Sequence, residues 1–125
     1  MDSFKRKFRF VAGGHRSPEP TVPTYASVVS RESVRIALTI DALNDLEVKA
    51  ADIQNAYLTA PNAEKSWTKL GPEFGEDCGK LALIVRALYG QKSAGASFRN
   101  HLADCLGHLG YTPCLADPDV GRAPQ

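Results

Sequence analysis

A carboxylate that continues an apolar pattern is the feature of this sequence that most needs a chemical explanation. Apolar and polar residues alternate over 46–51, which predicts a half-buried strand, and Asp52 follows on the apolar side of that strand. A buried charge is costly, because it leaves water and must find a compensating group. If the strand buries Asp52, that carboxylate requires either a partner or a metal.

Other groupings of reactive residues are less specific. One face of a predicted helix presents four side chains of the kind that ligate metals: His101, Asp104, Cys105 and His108. Its histidines are seven residues apart rather than four, so an ordinary amphipathic helix explains the pattern better. The loop 75–81 lacks the spacing and the Ser or Thr of a phosphate loop, and no Gly-x-Ser-x-Gly string supports acyl transfer.

The string 48–58 around Asp52 resembles the first catalytic motif of reverse transcriptases, in which an aspartate ends a central palm strand. Three further stretches occur in the matching order, at 7–15, 87–94 and 116–119. Together they resemble the polymerase domain of copia-type LTR retrotransposons over about residues 4–120. The resemblance implies an α+β fold: the incomplete fingers and palm of a reverse-transcriptase-type polymerase, within a single partial domain.

The resemblance also implies roles around the first motif. Asp52 would bind one of the two divalent ions, Mg²⁺ or Mn²⁺, that nucleotidyl transfer requires, and the Ile53 carbonyl would face the second ion. Tyr57 would lie under the incoming sugar as a steric gate that disfavours a 2′-hydroxyl. A tyrosine of the core is the alternative for that position.

The other matching positions would contact the deoxynucleotide. Lys7 and Arg9 match fingers residues that contact the triphosphate, although a solvated basic hairpin also explains them. Tyr89, Gly90 and Lys92 match the start of a palm helix that packs against the templating base and the nucleotide. Glycine permits close backbone approach at such a place.

The sequence departs from the family pattern in three respects. Gln91 stands where leucine is usual, and Gly107 lies inside a predicted helix. The Tyr-x-Asp-Asp string, which carries the family's other metal-binding acids, does not occur in the 125 residues. We therefore expect the chain to be inactive alone and to bind no metal tightly.

Three hypotheses follow for the function. The chain is a fragment of an RNA-directed DNA polymerase, whose parent enzyme would use an RNA or DNA template, a primer and deoxynucleotides. Alternatively, it is a nonfunctional retroelement remnant. In the third hypothesis it is a repurposed nucleic-acid-binding module. Its front segment, which contains Lys5, Lys7 and Arg9 among aromatic residues, would bind the nucleic-acid backbone and stack on bases.

Several elements must position these residues. The sequence predicts a strand over 8–11 that ends at Gly13 and Gly14, then an extended proline-rich connector. It predicts a largely buried helix over 31–44 capped by Ser30, because the apolar stripe there is wide. A short strand is expected over 67–70 and a buried strand or core segment over 81–87, before a helix from Ser93 to a cap at Gly110. The fingers-like segment would cover about 4–45 and the palm portion about 46–120.

Composition limits the function further. With 43% apolar and 23% charged residues the chain matches an average globular protein, which excludes wholesale disorder. The net charge of +1 provides no global field for nucleic acid, so any electrostatic site must be local.

No apolar run is long enough to cross a bilayer, and the basic start lacks the apolar run of a secretory signal, so we expect an intracellular protein. The 3 cysteines contain no Cys-x-x-Cys pair and are expected to be reduced.

Overall fold

The computed structural model describes residues 9–124, so Lys5, Lys7 and Phe8, the first residue of the predicted 8–11 strand, lie outside the described residues. The rest of that predicted strand forms only an isolated bridge, between Val11 and Tyr89. Three α-helices and two small antiparallel sheets make up the described fold. The elements are a 3-10 turn at Gly14–Arg16, α1 (Arg31–Leu43), α2 (Ala56–Thr59), β1 (Pro61–Lys69), a 3-10 segment at Pro72–Asp77, β2 (Leu81–Arg86), α3 (Ala94–His108), β3 (Thr112–Pro113) and β4 (Gly121–Arg122). This mixture of helices and small sheets fits a partial domain of the predicted α+β class.

The first long helix forms where the sequence predicts it, but it is not buried. The Ser30 hydroxyl accepts a hydrogen bond from the Ser33 N–H at 3.0 Å, and the helix ends before Asn44. None of its residues is buried: the side chain of Ile36 is 61% exposed and that of Leu43 is 79% exposed. The predicted burial of α1 is therefore wrong. A wide apolar stripe allows a helix to pack against another element, but the stripe is buried only where such an element covers it.

The strand predicted over 46–51, with Asp52 at its end, is wrong. Residues 46–53 form neither strand nor helix, Val48 is 60% exposed, and Asp52 is exposed as well. A strand exists through backbone hydrogen bonds to a neighbour, and no described strand pairs with this segment. Since Asp52 remains in contact with solvent, burial does not force a partner or a metal on its carboxylate.

The central hairpin consists of β1 and β2, in antiparallel register with Trp67 opposite Leu83. It contains the predicted strands over 67–70 and 81–87, with β1 beginning earlier, at Pro61. Pro61 pairs with Arg86 and Ser66 with Ile84, so β1 carries extra residues over this span, as a bulge. The expected burial of the second strand is wrong, because its outer residues face solvent and only Ala87, just beyond it, is buried.

The core lies where α2, α3 and the base of the hairpin meet. It consists of Ala60, Ala87 and Ala94, with Tyr57 and Phe98 packed against them. The predicted second long helix, α3, is confirmed, and Gly110 follows it with φ +86°. The chain exposes 10678 Å², whereas a compact monomer of this mass exposes about 6,500 Å². So small a core predicts marginal stability.

A pair of aspartates ties the end of the chain to both long helices. The Asp117 carboxylate accepts hydrogen bonds from the Ser30 N–H at 2.9 Å and from the Ser33 hydroxyl at 2.7 Å. These two contacts, the Ser30 N–H first, hold the pKa of Asp117 below its ordinary value. Asp119 accepts a hydrogen bond from Arg99 Nε of α3 at 2.8 Å. We call Asp117 and Asp119 the aspartate clasp.

Two further properties bear on the expectations from sequence. All three cysteines are free thiols. Within residues 9–124, the helices are too short or too polar to span a membrane.

Candidate functional site

Tyr57 and Tyr89, which the family resemblance places at the nucleotide site, are in contact. Tyr57 lies in α2, which follows Asn55 in the left-handed conformation, and Tyr89 lies just beyond β2. Their ring centroids are 4.8 Å apart with an interplanar angle of 38°. Phe98 of α3 packs on Tyr57 with its ring centroid 6.0 Å away. These separations are typical of favourable aromatic pairs.

Arg9 joins this group from the front of the chain. Its guanidinium carbon lies 5.0 Å from the centroid of the Tyr89 ring, which is a cation–π distance. The adjacent backbone supports the contact, because Val11 forms a parallel bridge with Tyr89 and the Ala12 N–H donates to the Tyr89 carbonyl at 2.7 Å. We call Arg9, Tyr57, Tyr89 and Phe98 the aromatic cluster.

Gly90 is required by the backbone that surrounds it. Its φ is +87°, and an added Cβ would collide with the Ala12 carbonyl and lie 2.7 Å from Val11 Cγ1. Gly14 approaches Gly90 equally closely from the neighbouring segment, since a Cβ there would collide with the Gly90 carbonyl. The close approach at this position is therefore between two segments of the protein itself, which hold Tyr89 beside Arg9.

Lys92 is engaged in an ion pair with the proline-rich connector. Its Nζ lies 2.6 Å from Glu19 Oε1 and donates a longer hydrogen bond, of 3.4 Å, to the Ser17 carbonyl. The lysine is 29% exposed and the glutamate 86% exposed. An anionic ligand would have to compete with Glu19 for this cation.

The residues assigned to metal binding are not gathered into a metal centre. Asp52 and Ile53 both lie in the exposed segment before α2. Across residues 9–124 there is no group of three or more His, Cys, Asp or Glu side chains placed to hold a metal ion. This includes the helix face considered above, where His108 Nδ1 lies 2.7 Å from the Asp104 carbonyl and Cys105 Sγ lies 3.8 Å from His101 Nε2. A single carboxylate does not fit the two-ion site that the family implies.

A groove separates the segment 10–14 from the central hairpin, and only the aromatic residue types of its walls could have indicated it from sequence. The cavity has a volume of about 590 Å³. Trp67 and Phe10, each 62% exposed, border it together with Phe74, whose ring centroid is 5.9 Å from that of Phe10. Lys69 and Arg86 contribute positive charge and Glu73 negative charge to the same walls.

The polar contacts of Gln91 were also missed. Its side chain hydrogen-bonds to Leu88, Asn62 and Ser66 directly beside Tyr89 and Gly90. The available signal was the departure from leucine at this position, which indicates a polar side chain beside the tyrosine but not its partners.

With the geometry described, comparison with known proteins identifies the family. The family described as Reverse transcriptase (RNA-dependent DNA polymerase) matches residues 2–118. The chain belongs to this family. Membership implies a nucleic acid template as the partner of the reverse transcriptase. No curated protein and no solved structure matches the chain.

Proposed function

We propose that this chain is the fingers and N-terminal palm portion of a copia-type RNA-directed DNA polymerase and that the aromatic cluster receives the incoming deoxynucleotide. The family match supports the polymerase class, and the order of the motifs around Arg9, Asp52, Tyr89 and Asp117 supports the copia type. The observation that carries the proposal is the 4.8 Å contact between Tyr57 and Tyr89, with Arg9 over the second ring.

Each member of the cluster has a separate task in this proposal. The Tyr57 ring excludes a 2′-hydroxyl by its bulk and so selects deoxynucleotides. Arg9 is exposed and permanently charged, so its guanidinium can pair with phosphate oxygens in the fork geometry that suits them. Lys7, which matches a second position that contacts the triphosphate, would add another cation. Lys92 contributes only when the triphosphate displaces Glu19 from it.

The metal-dependent step belongs, in this proposal, to a more complete domain. Two divalent ions clamp the attacking and leaving oxygens in nucleotidyl transfer, and they need several acidic ligands. Asp52 and the Ile53 carbonyl would supply part of a Mg²⁺ or Mn²⁺ site only beside further acids, since the sequence lacks the Tyr-x-Asp-Asp string and residues 9–124 gather no group of three potential ligands. We therefore expect the chain by itself to bind nucleotide without extending a primer.

The test is a nucleotide titration of the intact chain followed by NMR of the tyrosine rings. A deoxynucleoside triphosphate should shift the Tyr57 and Tyr89 signals, and the matching ribonucleotide should bind more weakly. Arg9→Ala should weaken binding about tenfold or more, because a charge-assisted hydrogen bond to phosphate is lost. Tyr57→Ala should remove the preference for the deoxy sugar.

Tyr25→Ala is the matched control, because Tyr25 is 82% exposed and lies in the connector. It should leave both affinities unchanged. Equal affinities for the two sugars in the unmodified chain, or ring signals that do not move at saturating nucleotide, would refute the assignment of the cluster.

A single-stranded nucleic-acid-binding module is the second candidate, favoured by the exposed Trp67 and Phe10 on the walls of the groove. Aromatic rings stack on bases of any sequence while nearby cations track the backbone. Its affinity for an oligonucleotide should fall linearly with salt on logarithmic axes, and replacing Lys5, Lys7 and Arg9 by alanine should flatten that slope. An unchanged slope would exclude this module, and the absence of both nucleotide and oligonucleotide binding would favour a nonfunctional remnant.

A further inference from the structure

We infer that Gln91 is a positioning residue, which clamps the Tyr89–Gly90 turn to the bulge of β1 and thereby sets the contact between Tyr89 and Tyr57. The inference rests on the proposed function only for the statement that a nucleotide contacts Tyr89. The clamp itself is a property of the chain without ligand.

The bulge of β1 provides a fixed anchor for the clamp. Asn62 Nδ2 donates to the Ile84 carbonyl of β2 at 2.9 Å, across the part of the hairpin where the register shifts. Its Oδ1 accepts from the Glu64 N–H at 3.3 Å, within its own strand. The amide of Asn62 is thus oriented by both strands, and bulges commonly re-aim side chains in this way.

Gln91 connects this anchor to the turn that carries Tyr89. Its Oε1 accepts from the Leu88 N–H at 2.7 Å, and its Nε2 lies 3.4 Å from Asn62 Oδ1 and 3.3 Å from Ser66 Oγ. An amide supplies an acceptor and two donors from one neutral side chain, and leucine supplies neither. The two donated bonds are longer than usual, so each contributes less than the bond to Leu88.

A second contact ties the far end of the same turn to the same strand. The Ser93 hydroxyl, in a residue only 1% exposed, donates to the Glu64 carboxylate. On the opposite side of the turn, the Ala12 N–H holds the Tyr89 carbonyl. Tyr89 is therefore held between the front segment and β1, and Gln91 provides the link to β1 that lies next to the tyrosine.

Two substitutions separate the parts of the clamp. Gln91→Leu removes the acceptor and both donors, whereas Gln91→Glu keeps an acceptor for Leu88 but cannot donate to Asn62. Asn100→Leu is the control, since it makes the same amide-to-leucine change at an exposed position of α3. Amide exchange of Leu88 reports the bond within the turn, and the cross-peak between the Tyr57 and Tyr89 rings reports their contact.

Gln91→Leu should speed exchange at Leu88 about three- to tenfold, as the loss of one hydrogen bond predicts, and should weaken the ring cross-peak while the chain remains folded. Gln91→Glu should restore protection at Leu88 yet leave the cross-peak below its level in the unmodified chain. Asn100→Leu should change neither. A purely structural glutamine would lower the stability of the fold without changing the ring contact of the folded molecules.

The inference is overturned if Gln91→Leu leaves both signals unchanged, or if Gln91→Glu restores both, because the link to β1 would then be dispensable. Adding a deoxynucleoside triphosphate to the same samples tests the proposed function separately. If the unmodified chain binds none, the proposed function fails while the measurements without ligand still decide the clamp. If it binds, Gln91→Leu should weaken binding and Asn100→Leu should not.

Discussion

Replacing Gly90 by alanine tests the packing that holds Tyr89 in the aromatic cluster. Gly90 has φ +87°, where a side chain costs about 1–2 kcal/mol. The new methyl group would also collide with the Ala12 carbonyl and Val11 Cγ1, an overlap of the kind that costs about 1–3 kcal/mol. We expect Gly90→Ala to lower the free energy of unfolding by about 2–5 kcal/mol, a large part of what a small domain has.

Urea unfolding followed by circular dichroism measures this loss, with Gly107→Ala as the matched control. Gly107 lies in α3 with nothing within 4 Å of an added Cβ, so alanine there should raise the free energy of unfolding by about 0.5–1 kcal/mol. The same chemical change thus has opposite signs at the two glycines. A loss below about 1 kcal/mol for Gly90→Ala would refute the close packing of the two segments.

Three further predictions concern the clasp, the first helix and the candidate metal ligand. Because folding lowers the pKa of Asp117, the stabilisation that its ionised carboxylate provides is present above the ordinary carboxyl pKa of 3.8 and is lost as the pH falls through the lowered pKa. The difference in urea midpoint between the unmodified chain and Asp117→Asn should therefore narrow on acidification. A difference that stays constant with pH would contradict this prediction. Ile36→Gln should change the free energy of unfolding by less than about 0.5 kcal/mol, since Ile36 is 61% exposed, whereas a cost above about 2 kcal/mol would mean that its face is covered. Asp52→Asn should likewise leave the urea midpoint of this chain unchanged but abolish metal-dependent primer extension in a complete parent polymerase, and undiminished extension would show that another aspartate binds the metal.

The sequence predicts local structure well because its signals are local. The helices at 31–43 and 94–108 follow from periodic apolar residues, from the Ser30 cap and from Gly110, all within a few residues of the elements they define. The strand predicted over 46–51 is wrong because alternation of apolar and polar residues specifies which face of a strand is apolar but not which strand pairs with it. The predicted burial of α1 and β2 is wrong for the same reason. The residues of a segment determine that it has an apolar face, but only the rest of the fold determines whether another element packs on that face.

In the candidate site too, some residues can be identified from the sequence and their long-range contacts cannot. Arg9, Tyr57 and Tyr89 are identified through the family resemblance, and the structure brings them together. The contacts of Gln91 with Asn62 and of Asp117 with Ser30 join residues 29 and 87 positions apart, so no local pattern can predict them. Their residue types are visible in the sequence, but a polar side chain needs a protein partner only where the fold buries it, and that burial is not a local property.

The small core gives these long-range polar contacts their importance. Burying alanine methyl groups removes little apolar surface from water, so the core supplies little stabilisation and little directional information. A hydrogen bond is directional, and a contact between distant residues fixes two elements relative to each other. The aspartate clasp orients α1 against α3, and the Gln91 clamp orients Tyr89 against Tyr57. In a chain whose apolar faces are largely exposed, the geometry of the candidate nucleotide site therefore depends on a few polar side chains, and their substitution should disturb that geometry more than the overall content of helix and strand.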